Sequence, residues 1–150
     1  MLAPLASICV LVVDDFEPWQ RSLRAMLGRH AELRLVGQVA DGMAAVQTAS
    51  ELTPDLILLD INLPALNGLE AAKQICQLAP ATKILFLTLV SDADIVQAAL
   101  SSGGHGYLLK SDAGRELWPA IEAVLQGKQY VSRGVMAGSR SNEPFETLLN

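Results

Sequence analysis

Short continuous apolar runs alternate with amphipathic segments along the chain, and this alternation predicts most of the fold. Residues 8–13 (ICVLVV) are apolar throughout, the pattern of a central parallel strand covered on both faces. In 19–27, Trp19, Leu23, Met26 and Leu27 recur at i, i+4, i+7 and i+8, one face of a helix. Pro18 suits the first turn of that helix, because its missing N–H would be unpaired there anyway. The pattern then predicts a strand over 33–40, a helix over 43–52 capped by Asp41, and a third strand over 56–59 after the break at Pro54 and Asp55. A helix over 69–78 and a strand over 84–87 follow, and Ser91 or Asp92 caps a helix running to Leu100. Gly103, Gly104 and Gly106 lead into a short fifth strand at 107–109. Leu117, Ile121, Val124 and Leu125 mark a last helix that Gly127 ends.

Five βα units in succession predict an α/β fold, a doubly wound five-stranded parallel sheet with right-handed crossovers and helices on both faces. In such sheets function gathers at the carboxyl ends of the strands, near the topological switch point. The domain is expected over residues 7–127, with 1–6 as an N-terminal extension and 128–150 as linker or tail. That last stretch carries Gly134, Gly138, Ser139, Ser141, Asn142 and Pro144, while Phe145, Leu148 and Leu149 have the spacing of one helical turn that docks on something.

Composition narrows the functional classes. Of the 150 residues 51% are apolar and 18% charged, which describes an aliphatic core rather than a disordered chain. A net charge of −5 leaves no strong basic face for a phosphate backbone and argues against direct nucleic-acid contact by this chain. Cys9 and Cys76 both lie in apolar runs and read as small core residues in a reducing compartment. There is no basic n-region at the N-terminus, and no apolar stretch nears the roughly 18 residues that span a bilayer. A cytoplasmic protein without membrane contact is expected.

The chemistry sits where the strands end. The first strand delivers Asp14 and Asp15, the third Asp60, the fourth Thr88 and the fifth Lys110. Each alone has an ordinary reading: an Asp pair as cap or loop solvation, a strand-end Asp as turn former, Thr88 as a β-branched strand residue, Lys110 as a surface lysine. Together they would meet at one edge of the sheet. Three carboxylates there repel one another unless a cation lies among them, and oxygen ligands without clustered His or Cys favour Mg²⁺ or Mn²⁺. A carboxylate at Asp60 is a nucleophile able to form an acyl phosphate, and the Lys110 ammonium suits the charge that builds on the transferring group.

VLVVDD at 10–15, LILLDINLPALNGLEAA at 56–72, ILFLTLVSDADIV at 84–96 and GYLLKSDAGREL at 106–117 resemble the receiver domain of two-component response regulators. The likeness covers about residues 7–127 and is strongest to receivers of the NarL/FixJ type, which usually carry a LuxR-type output domain. It implies the flavodoxin-like (βα)5 receiver fold and phosphorylation of Asp60 by a sensor histidine kinase. It further implies Mg²⁺ ligation by Asp14, Asp15, Asp60 and the backbone carbonyl of Asn62, contact of Lys110 with the acyl phosphate, and a switch pair of Thr88 and Tyr107. The implied output is a changed surface on the fourth helix, fifth strand and fifth helix, a face through which a homodimer could form. Ser111 stands where many receivers have proline after the lysine. Leu89 stands where many have a small residue, which would narrow access to the acyl phosphate.

Other residues are read more plainly. Trp19 and Trp118 are expected to pack in the core. His30 and His105 are expected as surface or turn residues, with His105 able to approach the switch region. Two competing functions remain open. A haloacid-dehalogenase-like phosphatase also uses an aspartyl phosphate, but places a second Asp where this chain has Asn62. A phosphorylation-independent scaffold would not need the five-residue set. The expectation is a switch and not a turnover enzyme.

Overall fold

The computed structural model describes residues 7–135. The elements run β1 (Ile8–Val13), α1 (Glu17–Leu27), β2 (Leu33–Val39), α2 (Gly42–Leu52), β3 (Leu56–Leu59), α3 (Gly68–Leu78), β4 (Lys83–Thr88), α4 (Ala93–Ser101), β5 (Gly106–Leu109), a 3-10 turn (Lys110–Asp112), α5 (Ala113–Leu125) and β6 (Tyr130–Val131). The sheet order is β2-β1-β3-β4-β5-β6, and every pairing is parallel. The chain starts in the middle, steps outward to β2, and returns to the other side of β1 at β3. The switch point therefore falls between β1 and β3, whose C-terminal ends carry Asp14 and Asp60.

The continuous apolar strands are explained by burial on both faces. Leu11, Val13, Ile57, Leu59, Ile84, Phe86, Tyr107 and Leu109 face one helical layer, packed against Ala45 and Ala49 of α2, Ala71, Ala72 and Ile75 of α3, and Val96 and Ala99 of α4. Their strand neighbours Val10, Val12, Leu56, Leu58, Leu85, Leu87 and Leu108 face the opposite layer, against Leu23 and Leu27 of α1 and Leu117, Ala120, Ile121 and Val124 of α5. The strand period of two divides one apolar run between two cores.

Helix starts follow capping chemistry. The Asp41 side chain accepts from Ala44 N at 2.7 Å, as expected, and Asp92 rather than Ser91 caps α4, accepting from Asp94 N and Ile95 N. Asn67 caps α3 in the same way, accepting from Glu70 N at 2.9 Å.

The expectation of five strands needs one correction. The sequence pattern assigns 128–150 to linker or tail, yet Tyr130 and Val131 form a sixth strand against Gly106 and Tyr107 of β5. Ser132 N donates to Tyr107 O at 2.9 Å, and Ser132 Oγ accepts from Leu109 N at 3.0 Å. Gly134 N donates to Asp112 Oδ2, the Tyr130 hydroxyl donates to Glu116, and Val135 is fully buried. The segment closes the edge of β5 that would otherwise present unpaired backbone. The extension at 1–6 and the helical turn expected at Phe145, Leu148 and Leu149 lie outside the described residues. Among the described residues, no helix is long and apolar enough to cross a membrane.

Candidate functional site

The strand ends meet as the sequence implied. Asp14 follows β1 and is 2% exposed, Asp60 follows β3 and is 6% exposed, and Asp15 is open to solvent. One carboxylate oxygen from each of the three lies within 4.8 Å of the others. Lys110, directly after β5, inserts among them: its Nζ is 2.6 Å from Asp14 Oδ2 and 3.2 Å from Asp60 Oδ2. The other oxygens of Asp14 and Asp60 are held by backbone. Asp14 Oδ1 accepts from Phe16 N at 2.8 Å and Asp60 Oδ1 from Ile61 N at 2.7 Å.

One ammonium does not balance three carboxylates. Burial raises the Asp14 carboxyl above its ordinary range, the bond and charge of Lys110 pull the other way, and the charge of Asp60 adds to the rise. An all-oxygen set with excess negative charge fits a hard divalent cation, so Asp14, Asp15 and Asp60 form a candidate metal centre.

Thr88 is the last residue of β4 and fully buried; its Oγ1 accepts from Val90 N at 3.4 Å. The Tyr107 ring is also fully buried, and its hydroxyl donates to Val90 O at 2.6 Å. Burial and the charges of Asp60 and Asp92 push the Tyr107 phenol well above 10. The two residues named as a switch pair thus hold opposite sides of one residue, Val90, in the loop entering α4. Asn62 is exposed two residues past Asp60.

Further residues around this set support it, and the likeness of the 56–72 motif already implied Gly68 in the turn after Asp60. Gly68 opens α3 directly beneath the site: a Cβ there would lie 2.1 Å from the Asp60 carbonyl oxygen. The Gln20 amide on α1 donates to the Asp14 carbonyl oxygen and, at 3.4 Å, to that of Val39, tying the β1 end to β2. Trp19, expected only in the core, does pack there, but its ring also lies beneath Lys110, with Nζ 5.4 Å from the ring centroid. Trp118 stacks on His30 with centroids 3.9 Å apart, joining α5 to the end of α1. His105 does not approach the switch: it precedes β5 at the opposite edge of the sheet, where its Nδ1 accepts from Ile84 N. Leu89 is 76% exposed and lines an open groove with Phe16, Pro18, Trp19, Lys110 and Ser111.

This arrangement has known counterparts. Residues 10–122 match the family model described as the response regulator receiver domain. The chain belongs to that family. The receiver is 37% identical over 121 residues to the transcriptional regulatory protein LiaR of Bacillus subtilis (strain 168), covering 81% of this chain and 57% of that protein. It is 34% identical over 124 residues to the transcriptional regulatory protein DegU of Brevibacillus brevis, covering 83% and 52%. Its backbone superposes on a two-component response regulator of the LuxR family from Aurantimonas sp. SI85-9A1 with a TM-score of 0.84 at 30% identity, over 91% of this chain and 99% of that one. The receiver spans about half the length of the curated relatives it matches.

Proposed function

We propose that Asp60 of this receiver accepts a phosphoryl group from the phosphohistidine of a sensor kinase, and that the product changes the surface around α4, β5 and β6. The observation that carries the reading is the buried Asp60 carboxylate held by Lys110 beside Asp14 and Asp15. In the transfer an Asp60 oxygen bonds to phosphorus as the P–N bond to the donor histidine breaks, and the imidazole leaves with the electron pair and takes up a proton from water. Lys110 lies within reach of the charge that spreads over the phosphoryl oxygens. Asp14, Asp15, Asp60 and the Asn62 carbonyl would hold Mg²⁺ or Mn²⁺, which when bound supplies further neutralisation of that charge.

The readout runs through Val90. A phosphoryl group on Asp60 offers the Thr88 hydroxyl a stronger acceptor, and turning toward it releases Val90 N. The Tyr107 hydroxyl holds the carbonyl of the same residue, so the loop and α4 respond as one piece. A homodimer on this face would meet β6 and α4, because β6 already occupies the outer edge of β5. The exposed Phe16 and Leu89 give the rim of the site an apolar surface for the kinase. The relatives are transcriptional regulators, so control of transcription is the proposed output, and the net charge of −5 assigns nucleic-acid contact to something other than the receiver face.

The receiver acts as a switch charged once per chain, not as a turnover enzyme. Asp60→Asn should abolish labelling by acetyl phosphate or a kinase while leaving the far-ultraviolet spectrum unchanged. Undiminished labelling of that variant would sink the assignment, and steady release of phosphate from organic esters would favour a phosphatase.

A further inference from the structure

We infer that Trp19 is a positioning residue for Lys110, an aromatic floor that keeps the ammonium at the phosphoryl site while letting it move between Asp14 and a phosphorylated Asp60. This rests on the reading of Asp60 as the acceptor.

Lys110 Nζ is held by Asp14 Oδ2 at 2.6 Å and Asp60 Oδ2 at 3.2 Å, and it also lies over the Trp19 ring, 5.4 Å from the centroid. The lysine side chain is only 9% exposed, so its ammonium has little water to fall back on. An indole face attracts a cation within about 6 Å of its centroid, and more strongly when the cation is desolvated.

Packing alone does not account for the residue. Trp19 is only partly buried against the α1/α5 core, yet its indole Nε1 is buried with no hydrogen-bond partner among the described residues. A smaller apolar residue could pack against the same core without burying an unpaired donor. What the indole adds is its face, and that face carries Lys110.

A face also suits the task better than a third carboxylate would. Ionic hydrogen bonds hold an ammonium at one point, whereas the attraction to a ring varies slowly as the cation slides across it. Once Asp60 is phosphorylated, Nζ has stronger acceptors on the phosphoryl oxygens than on Asp14. Moving to them over Trp19 costs it no loss of its second support. Trp19 thereby favours the charged state of the site without touching the phosphoryl group.

The test is calorimetric titration of wild type, Trp19→Leu and Trp19→Phe with Mg²⁺ alone, then with beryllofluoride at saturating Mg²⁺. Trp19→Leu should weaken beryllofluoride binding by about three- to tenfold, the size of a partly desolvated cation–π contact. Its Mg²⁺ affinity should be unchanged or higher, since a loosened Lys110 competes less for Asp14. Trp19→Phe should recover most of the beryllofluoride affinity. Equal beryllofluoride binding by wild type and Trp19→Leu overturns the inference, as does a parallel fall in Mg²⁺ and beryllofluoride affinity, which is the mark of general damage. Should Trp19→Leu fail to fold, the Trp118→Phe protein decides, because its single remaining indole is Trp19. Its emission should shift on beryllofluoride binding, and an unmoved spectrum overturns the inference. A wild type that binds no beryllofluoride sinks the reading of Asp60 itself, whereas a binding wild type with an indifferent Trp19→Leu sinks only the role of Trp19.

Discussion

Neutralising Asp14 should stabilise the metal-free protein and cost it the metal. The carboxylates of Asp14, Asp15 and Asp60 approach within 4.8 Å. At an effective dielectric of about 20, each such pair repels by about 3.5 kcal/mol, and the Lys110–Asp14 contact returns about 6 kcal/mol. Asp15 is exposed, so its share is screened to a fraction of that value. In Asp14→Asn the single side-chain oxygen can accept from Lys110, keeping about 1.5–3 kcal/mol of charge-assisted bonding, while the amide nitrogen then faces Phe16 N and forfeits that bond at a cost of about 1–3 kcal/mol. The several kcal/mol of carboxylate desolvation disappear with the charge. The terms nearly cancel and desolvation decides, for a net gain on the order of 1–3 kcal/mol, or roughly 2–4 °C in Tm per kcal/mol in a chain of this size.

The pH dependence has a definite sign. Asp14 is raised above its ordinary 3.8 in the folded state, so between 3.8 and the higher folded value the native protein binds more protons than the unfolded chain. The stability of wild type therefore falls as pH rises through that window, and the full cost of the ionised Asp14 is present above it. The advantage of Asp14→Asn should be greatest near neutral pH and shrink as the buffer is made acid. Saturating Mg²⁺ should reverse the order, because a ligand at about 100 times its Kd adds about 2.7 kcal/mol to the protein that binds it. The assay is urea or thermal unfolding at several pH values, with chelator and with Mg²⁺. A metal-free Asp14→Asn less stable than wild type at neutral pH would refute the charge balance.

Two further substitutions test the frame of the site. Gly68→Ala places a methyl 2.1 Å from the Asp60 carbonyl oxygen and 2.8 Å from Ile61 Cα, both backbone that cannot step aside, so unfolding should show a loss of about 1–3 kcal/mol and weaker Mg²⁺ binding; an unchanged midpoint would show that the start of α3 is softer than its packing implies. Ser132→Ala strips the acceptor from the buried Leu109 N–H and should cost about 1–3 kcal/mol by urea unfolding, with faster hydrogen exchange at Leu109; unaltered protection there would mean that β6 is no part of the folded unit.

Much of the site was legible because its members are tied to local pattern. Each of Asp14, Asp60 and Lys110 directly follows a largely apolar strand and Thr88 ends one, and a parallel sheet must bring such ends to one edge. Asp41 was readable as a cap from its place before an apolar-periodic segment, and the Asp41 bond to Ala44 N bears that out. These are short-range properties, carried by residues within a turn or a strand of one another. The two-core division of the strands follows from the same period of two.

What the tertiary structure alone decided involves residues distant in sequence. Strand β6 has only two residues, too few to show any periodicity, and it exists because Gly106 and Tyr107 offer an open edge over 20 residues earlier. The contact of Trp19 with Lys110 depends on how α1 lies over the sheet, and an apolar face at helical spacing reads the same whether its tryptophan meets leucines or an ammonium. His105 is a turn residue as expected, but it does not reach the switch, because its ring accepts from Ile84 N at the start of β4 whereas Tyr107 reaches Val90 beyond the end of that strand. Pattern along the chain determines which residues reach the carboxyl edge of the sheet. Packing across it determines what holds them there, because those contacts join segments whose separation leaves no trace in local order.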